Sequence, residues 1–294
     1  MQNLQLASEH AGFFIFFICV LGLLIGSFLN VVIHRIPLMM KQEWQSDCCE
    51  LLEIENSTGH EAGETYNLLK PDSHCPNCKS QIQPWQNIPI VSFLFLGGKC
   101  ANCEEKISIR YPLIEASTAI LSGLIALYFG ATEQTLALLF LTWGLIALTM
   151  IDIDHQLLPD SITLPLLWLG IILNTQGVFI DLESSVWGAI GGYLSLWSVF
   201  WLFKLLTGKE GMGYGDFKLL AALGAWMGWQ TLPLIIILSS VVGAVIGIAG
   251  IIIMGRDKNV PIPFGPYLAI AGWIALLWGE KITQAYLNYA GMTG

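Results

Sequence analysis

Charge is scarce in this sequence. Asp, Glu, Lys and Arg make up 12% of its 294 residues, about half the roughly 25% of a soluble domain, and that deficit excludes a solvated globular fold. Positive charge is the scarcer sign: 13 Lys and Arg stand against 22 Asp and Glu, a formal net charge of −9. No basic stripe runs along the chain, which argues against nucleic acid as a partner. The residues before the first apolar run include Glu9 and no cation, so that run does not read as a cleavable signal peptide. Nor is there a glycine-rich fingerprint between a strand and a helix, and with it goes a soluble nucleotide-binding fold.

What fills the chain is apolar surface. Hydrophobic residues make up 54% of it, with a mean hydropathy of +0.64. Eight apolar stretches approach the length of about 20 residues that spans a bilayer: 11–32, 112–130, 134–151, 161–179, 185–207, 217–230, 232–254 and 264–279. They are too long and too continuously apolar for barrel strands, so the expected fold class is an all-α polytopic membrane protein. Arg35, Lys41, Lys70, Lys79, Lys99, Lys106 and Arg110 fall between the first and second spans; Lys204, Lys209 and Lys218 surround the loop between the fifth and sixth; Arg256 and Lys258 follow the seventh. Alternating spans put all of these on one side and leave Lys281 alone on the other. Positive charge stays inside, so segment 33–111 is expected in the cytoplasm and both termini outside. The expected domains are a first helix (11–32), a cytoplasmic module (33–111), a seven-helix membrane domain (112–279) and a tail (280–294).

Within the cytoplasmic module, Glu43, Asp47, Glu50, Glu53, Glu55, Glu61 and Glu64 occur with no Lys or Arg between residues 42 and 69. That stretch reads as a polar, mobile insertion. Beyond it stand Cys75-Pro76-Asn77-Cys78 and Cys100-Ala101-Asn102-Cys103. Two Cys-x-x-Cys turns can present four thiolates to one ion, the pattern of a structural zinc ribbon. A reducing cytoplasm disfavours the rival disulfides, and four thiolates close the coordination sphere against chemistry. Cys19 reads as a small core residue, Cys48 and Cys49 have no partner at ligand spacing, and His34 and His74 read as structural.

The carboxylates carry more. Asp152 ends a strongly apolar run, in Ile151-Asp152-Ile153-Asp154-His155, and Asp216 opens another, in Gly213-Tyr214-Gly215-Asp216. Ionisable groups at such depth are costly and mark function. Helix capping cannot explain Asp152, because the end of a helix disfavours negative charge. Gly213 and Gly215 permit close backbone approach around Asp216. Asp160 reads as the cap of the fourth span, Asp154 as either a solvated turn residue or a supporting group, and Lys218 as a lipid anchor or charge balance. Two acids sharing a proton can activate water for hydrolysis. They can also carry protons or cations, so an ion- or proton-coupled transporter with a regulatory zinc domain is the alternative. The clustering of the acids at one face favours hydrolysis.

These blocks together resemble the bacterial type IV prepilin peptidases, aspartic proteases of the Gly-x-Gly-Asp type also called leader peptidase and N-methyltransferase. The resemblance runs along nearly the whole chain: Gly26-Ser27-Phe28-Leu29-Asn30-Val31-Val32 with His34, Arg35 and Pro37; the cysteine pairs with Pro84-Trp85-Gln86-Asn87-Ile88-Pro89; Ile107 to Pro112 with Glu115; Asp152 to Asp160; and Gly213 to Lys218. It implies an inner-membrane, multi-pass enzyme that cleaves the basic leader of type IV prepilins and type II secretion pseudopilins at the cytoplasmic face, after a glycine. It implies catalytic Asp152 and Asp216, supported by Gly213 and Gly215, and one structural zinc on Cys75, Cys78, Cys100 and Cys103. It further implies N-methylation of the new N-terminal residue, usually Phe, from S-adenosylmethionine. For the methyl donor or substrate, Asn30, Arg35, Glu115 and Lys218 are the polar candidates at that level of the chain.

Overall fold

The computed structural model describes residues 2–54, 66–209, 211–254 and 262–291; Glu55, Glu61, Glu64, Arg256 and Lys258 lie outside them. Among the described residues the regular elements are helices, with no strand, and the two cysteine turns lie in irregular chain. The helices are α1 (Gln2–Leu51), α2 (Val91–Phe95), α3 (Arg110–Phe129), α4 (Glu133–His155), α5 (Asp160–Asn174), α6 (Leu182–Thr207), α7 (Tyr214–Met227), α8 (Leu232–Met254) and α9 (Gly265–Tyr289). Every apolar stretch expected to span the bilayer falls on one of the helices other than α2. Five helices, α1, α3, α4, α6 and α8, are long and apolar enough to cross a membrane. The chain is therefore a multi-pass membrane protein. α5 and α7, of 15 and 14 residues, rise about 1.5 Å per residue and fall short of a hydrocarbon core of about 30 Å. α9 is long, but Glu280 and Lys281 sit in its second half.

One difference from expectation lies in α1, which continues through Pro37 to Leu51. Residues 42–51, read as part of a mobile insertion, are helical. Leu38 to Glu43 are strong helix formers almost without exception, and a reading based on charge alone gave them no weight. At the other end, residues 280–289 continue α9 where a tail was expected.

The chain divides into two compact units, Met1–Trp143 and Gly144–Gly294, with α4 running through the boundary. In the first, α1 and α3 pack with backbones nearly touching: a Cβ on Gly22 would meet the Ala119 Cα at 2.8 Å, and one on Gly26 the Glu115 Cα at 2.7 Å. Small residues at such faces are how membrane helices gain van der Waals contact without a hydrophobic drive. Ile18, Ala126 and Leu139 form a buried cluster beside them, covered by Phe14, Ile15, Leu21 and Trp143. In the second unit α7 is the axis, buried from Asp216 to Met227 except at Lys218 and packed on α5, α6 and α9. Gly188 and Gly224 meet back to back across α6 and α7, leaving no room for a Cβ on either. The far end of α7 is tied by polar bonds: the Trp226 indole donates to Leu166 O at 2.8 Å, and Asn174 Nδ2 and Ser185 Oγ donate to Ala225 O at 2.9 and 2.6 Å. This clamps α7 lengthwise and fixes where its first turn, with Asp216, must lie.

Candidate active site and metal centre

Asp152 lies one turn before the end of α4, and Asp216 is the third residue of α7. Both are buried, 5% and 6% exposed, and the charge of Asp152 is within electrostatic reach of Asp216. Their convergence is a packing result. Leu158, in the turn after α4, presses on two glycines: a Cβ on Gly215 would meet the Leu158 Cβ at 2.7 Å, and one on Gly265 would meet its methyl groups at 3.1 and 3.2 Å. The start of α7, the α4–α5 turn and the start of α9 thereby close on one another.

Gly265 also does something the sequence reading missed. Its N–H donates to Asp152 Oδ2 at 3.0 Å in a buried setting. The first amides of a helix have no partner within it and carry the positive end of its dipole. α9 therefore supplies Asp152 with the support its own helix end withholds. The signal was present in Phe264-Gly265-Pro266, since Pro just inside a helix start marks an N-terminus, but nothing local connected it to a residue 113 positions away. The same contact explains the glycine, because a Cβ there would lie 2.7 Å from that carboxylate oxygen. Asp216 is served differently. Gly213, not Asp216, caps α7, and Asp216 Oδ1 is buried with no hydrogen-bond partner among the described residues. A buried oxygen with no protein partner is open to a water or a substrate group.

One expectation is corrected here, and one left open, charge balance or lipid anchoring for Lys218, is decided for charge balance. Asp160 does not cap α5; the cap position is Pro159, and Asp160 is the first helical residue. Its carboxylate instead takes both hydrogen bonds from Lys218 Nζ, each at 2.7 Å. Lys218 is thus tied to a partner and not free to anchor lipid. The pair joins the segment after Asp152 to the helix that carries Asp216. Asp154 is exposed.

The remaining candidates belong to the first unit. Asn30 Nδ2 donates to Tyr111 O at 3.3 Å. Arg35, buried, donates to Asn67 O and Pro71 O and lies over the Tyr66 ring, pinning the loop before the first cysteine pair to α1. Glu115, also buried, accepts the Ile90 N–H at 2.8 Å and the Ser27 hydroxyl. Each holds scaffold together.

The four cysteines of the two turns converge. Their sulfurs all lie within 4.8 Å of one another. A tetrahedral ion with metal–sulfur bonds of about 2.3 Å sets its ligands about 3.8 Å apart, and Cys75 Sγ and Cys103 Sγ stand 3.8 Å apart. The turns are built alike. Lys79 N donates to Cys75 O and Glu104 N to Cys100 O, both at 3.0 Å, with Lys79 and Glu104 left-handed. Each turn's asparagine reaches the last cysteine of the other: Asn102 Nδ2 to Cys78 Sγ at 3.5 Å, Asn77 Nδ2 to Cys103 Sγ at 4.0 Å. With Ser80, the Asn102 bond holds the Cys78 thiol down at about 5. The Glu105 N–H favours the Cys103 thiolate, but desolvation and the three neighbouring thiols outweigh it and push that group up to about 11. Four thiols so crowded cannot all ionise without a cation among them, and the set fits a closed, structural metal site. All seven cysteines are free of disulfides. Cys19 sits against Gly123, in keeping with a packing role.

Comparison with known proteins shows what the chain is related to. A family model described as the bacterial peptidase A24 N-terminal domain matches residues 20–129, and one described as the type IV leader peptidase family matches residues 139–248. The chain is 61% identical over 271 residues to a prepilin leader peptidase/N-methyltransferase of Stutzerimonas stutzeri, covering 92% of this chain and 93% of that protein. It is 57% identical over 291 residues to the protein of that name from Pseudomonas aeruginosa, covering 99% of each. With that of Neisseria gonorrhoeae the identity is 52% over 266 residues, 90% of this chain and 91% of the other. No solved structure matches the chain. Relatives that are peptidases over nearly their whole length set aside the transporter reading. On this similarity, and with an acid pair and a four-cysteine module in place, the chain belongs to the type IV prepilin leader peptidase family.

Proposed function

We infer that this chain is a membrane prepilin leader peptidase and N-methyltransferase, and we propose Asp152 and Asp216 as its catalytic acids. The observation that carries the assignment is their pairing: Asp152 held by the Gly265 amide, and Asp216 within its electrostatic reach with a buried oxygen unmet. Two buried acids that feel each other's charge hold one proton between them more readily than none or two. In that state one carboxylate takes a proton from water as it attacks the scissile carbonyl carbon. The other gives its proton to the carbonyl oxygen. Collapse of the tetrahedral intermediate then breaks the C–N bond, and the leaving nitrogen takes up a proton from the pair. Cleavage should accordingly follow a bell-shaped pH profile with two ionisations belonging to the pair.

The proposed substrates are type IV prepilins and pseudopilins, cut after glycine at the cytoplasmic face of the inner membrane. Their basic leader stays in water and the adjoining apolar helix in lipid, which brings the scissile bond to the level of these two helix ends. We assign eight crossings, α5 and α7 completed by the residues that flank them, with segment 33–111 in the cytoplasm and both termini in the periplasm, as the placement of cations favours. Cys75, Cys78, Cys100 and Cys103 would hold one zinc ion that fastens the two turns and takes no part in hydrolysis. S-adenosylmethionine, when bound, supplies the methyl group for the new N-terminus. Gly213 and Gly215 keep the Asp216 turn slim. Among the candidates for the donor or substrate, Asn30, Arg35 and Glu115 act by holding the scaffold in place, and Lys218 by pairing with Asp160.

The test is cleavage of a prepilin peptide by purified protein. Asp152→Asn and Asp216→Asn should each lower the rate by at least about 10²-fold with helicity unchanged. Retained cleavage by either rejects the pair. Methylation measured separately on a pre-cleaved peptide then reports whether the two activities share these groups.

A further inference from the structure

The residues between the two cysteine pairs include five large apolar side chains turned outward: Trp85 is 55% exposed, Ile88 47%, Val91 45%, Leu94 71% and Phe95 87%. They flank Ile90, a β-branched residue at φ 58°, where the left-handed region is strongly disfavoured. What holds Ile90 there is its N–H bond to the buried Glu115 carboxylate at 2.8 Å. Glu115 is five residues into α3, about 7.5 Å along the axis from Arg110 at a rise of 1.5 Å per residue. On the neighbouring helix it touches Gly26 and Ser27. Ser27 lies inside the apolar run of α1, eight residues and about 12 Å before Arg35, the first cation after that run. Two helices thus place the Glu115 and Ser27 backbones about 8–12 Å to the membrane side of Arg110 and Arg35, and Ile90, held by the end of a Glu115 side chain that tilts back toward Arg110, lies somewhat shallower. The headgroup layer is about 6 Å thick on each side.

We propose that Pro84–Phe95 is an interfacial membrane segment, with Leu94 and Phe95 seated in the acyl chains of the leaflet on the side of the four-cysteine module. The partner is the lipid surface itself. The patch continues the lipid-facing sides of α1 and α3, where Phe16, Leu24, Phe28 and Leu113 are also exposed, and Ile109 and Tyr111 add 66% and 49% exposed surface at the entry to α3. Lys99 and Lys106, exposed and paired through their backbones after α2, stand with the exposed Glu104 and Glu105, so the apolar patch gives way to a charged edge there. Amphipathic segments of this kind sink about 5–10 Å into the headgroup–acyl boundary. The segment makes the metal module a rigid body resting on the bilayer, not one tethered only through α1 and α3.

The experiment uses the full chain in phosphatidylethanolamine–phosphatidylglycerol vesicles, with 4-trifluoromethyl-phenylalanine introduced singly at Phe95, Leu94, Phe16 or Trp44. Relaxation of the fluorine by dissolved oxygen is compared with that by an aqueous nickel chelate. Phe16 is the lipid-facing reference within α1, and Trp44, nine residues past Arg35, is the water-facing one. The oxygen-to-nickel ratio at Phe95 should match Phe16 and exceed Trp44 severalfold, with Leu94 giving the same answer should the Phe95 substitution disturb folding. A ratio matching Trp44 overturns the proposal. So does one that rises from the Trp44 value only when a prepilin peptide is added, which would give the patch to substrate.

Discussion

The metal centre and the acid pair solve the same problem, bringing like-charged groups together, by opposite means. In the metal centre each half is a four-residue turn whose backbone alone aims two sulfurs at one point, and only the meeting of two such turns is left to the fold. In the acid pair nothing is local. Asp152, Asp216 and the Gly265 amide come from three helices, and what unites them is the fit of Leu158 between Gly215 and Gly265. A turn-built site is robust to changes elsewhere but needs a cation to relieve its charge. A packing-built site can hold a proton where it is wanted but is exposed to any change in the walls.

Zinc is where the contrast should break most widely. Cys100→Ser with Cys103→Ser should take bound zinc from one ion per chain to none, by elemental analysis. Proteolysis of residues 66–109 should quicken strongly, since structural zinc contributes on the order of 10 kcal/mol to folding in small modules. The two aspartate variants should keep one zinc each. A next, smaller effect tests the walls of the acid site: Gly265→Ala should lower kcat by about ten- to a hundredfold, the scale expected of misplacing a reacting group by about 1 Å. Gly279→Ala, on the same helix and with its nearest neighbour at an ordinary 3.6 Å, should leave kcat unchanged.

Smaller again is the strut between the aspartate blocks. Lys218→Met should reduce cleavage by less than about tenfold, as a partly exposed pair is worth about 0–1 kcal/mol. The exchanged pair Asp160→Lys with Lys218→Asp should recover most of the loss, which a role in contacting substrate would not allow. The smallest effect belongs to Asp181, whose carboxylate caps α6 by accepting the Ser184 N–H at 2.8 Å and is held below the usual carboxylate range by that bond. Asp181→Ala should lower the thermal midpoint at neutral pH. A lowered folded-state value means stability present above the unfolded pKa and lost as pH falls through the folded one. The gap between variant and parent should therefore close in acid.

Several features were legible before any coordinates. Hydropathy located the apolar helices because burial in lipid imposes its demand residue by residue, and Cys-x-x-Cys spacing announced the four-thiol cluster because each turn by itself aims two sulfurs at one point. Asp152 stood out for the same local reason: a carboxylate ending an apolar helix has no cap to make. Asp160 was misread, and Lys218 was left open between charge balance and lipid anchoring, because the two are 58 residues apart and a propensity for capping says nothing about a bond that reaches across the fold. The length of α1 was missed because charge was weighed above helix propensity in residues 42–51.

What the chain's order of residues determined by itself is its class of solvent, its helical segments, its thiolate turns and the identity of its two exceptional acids, all consequences of groups acting over a few positions. What tertiary structure alone decided is which donor serves which acid, why Gly215 and Gly265 must lack side chains, and that Glu115 holds the Ile90 amide. Those depend on atoms that meet only when α4, α7 and α9, or α1 and α3, are packed. A backbone amide looks the same at every position until the fold aims it.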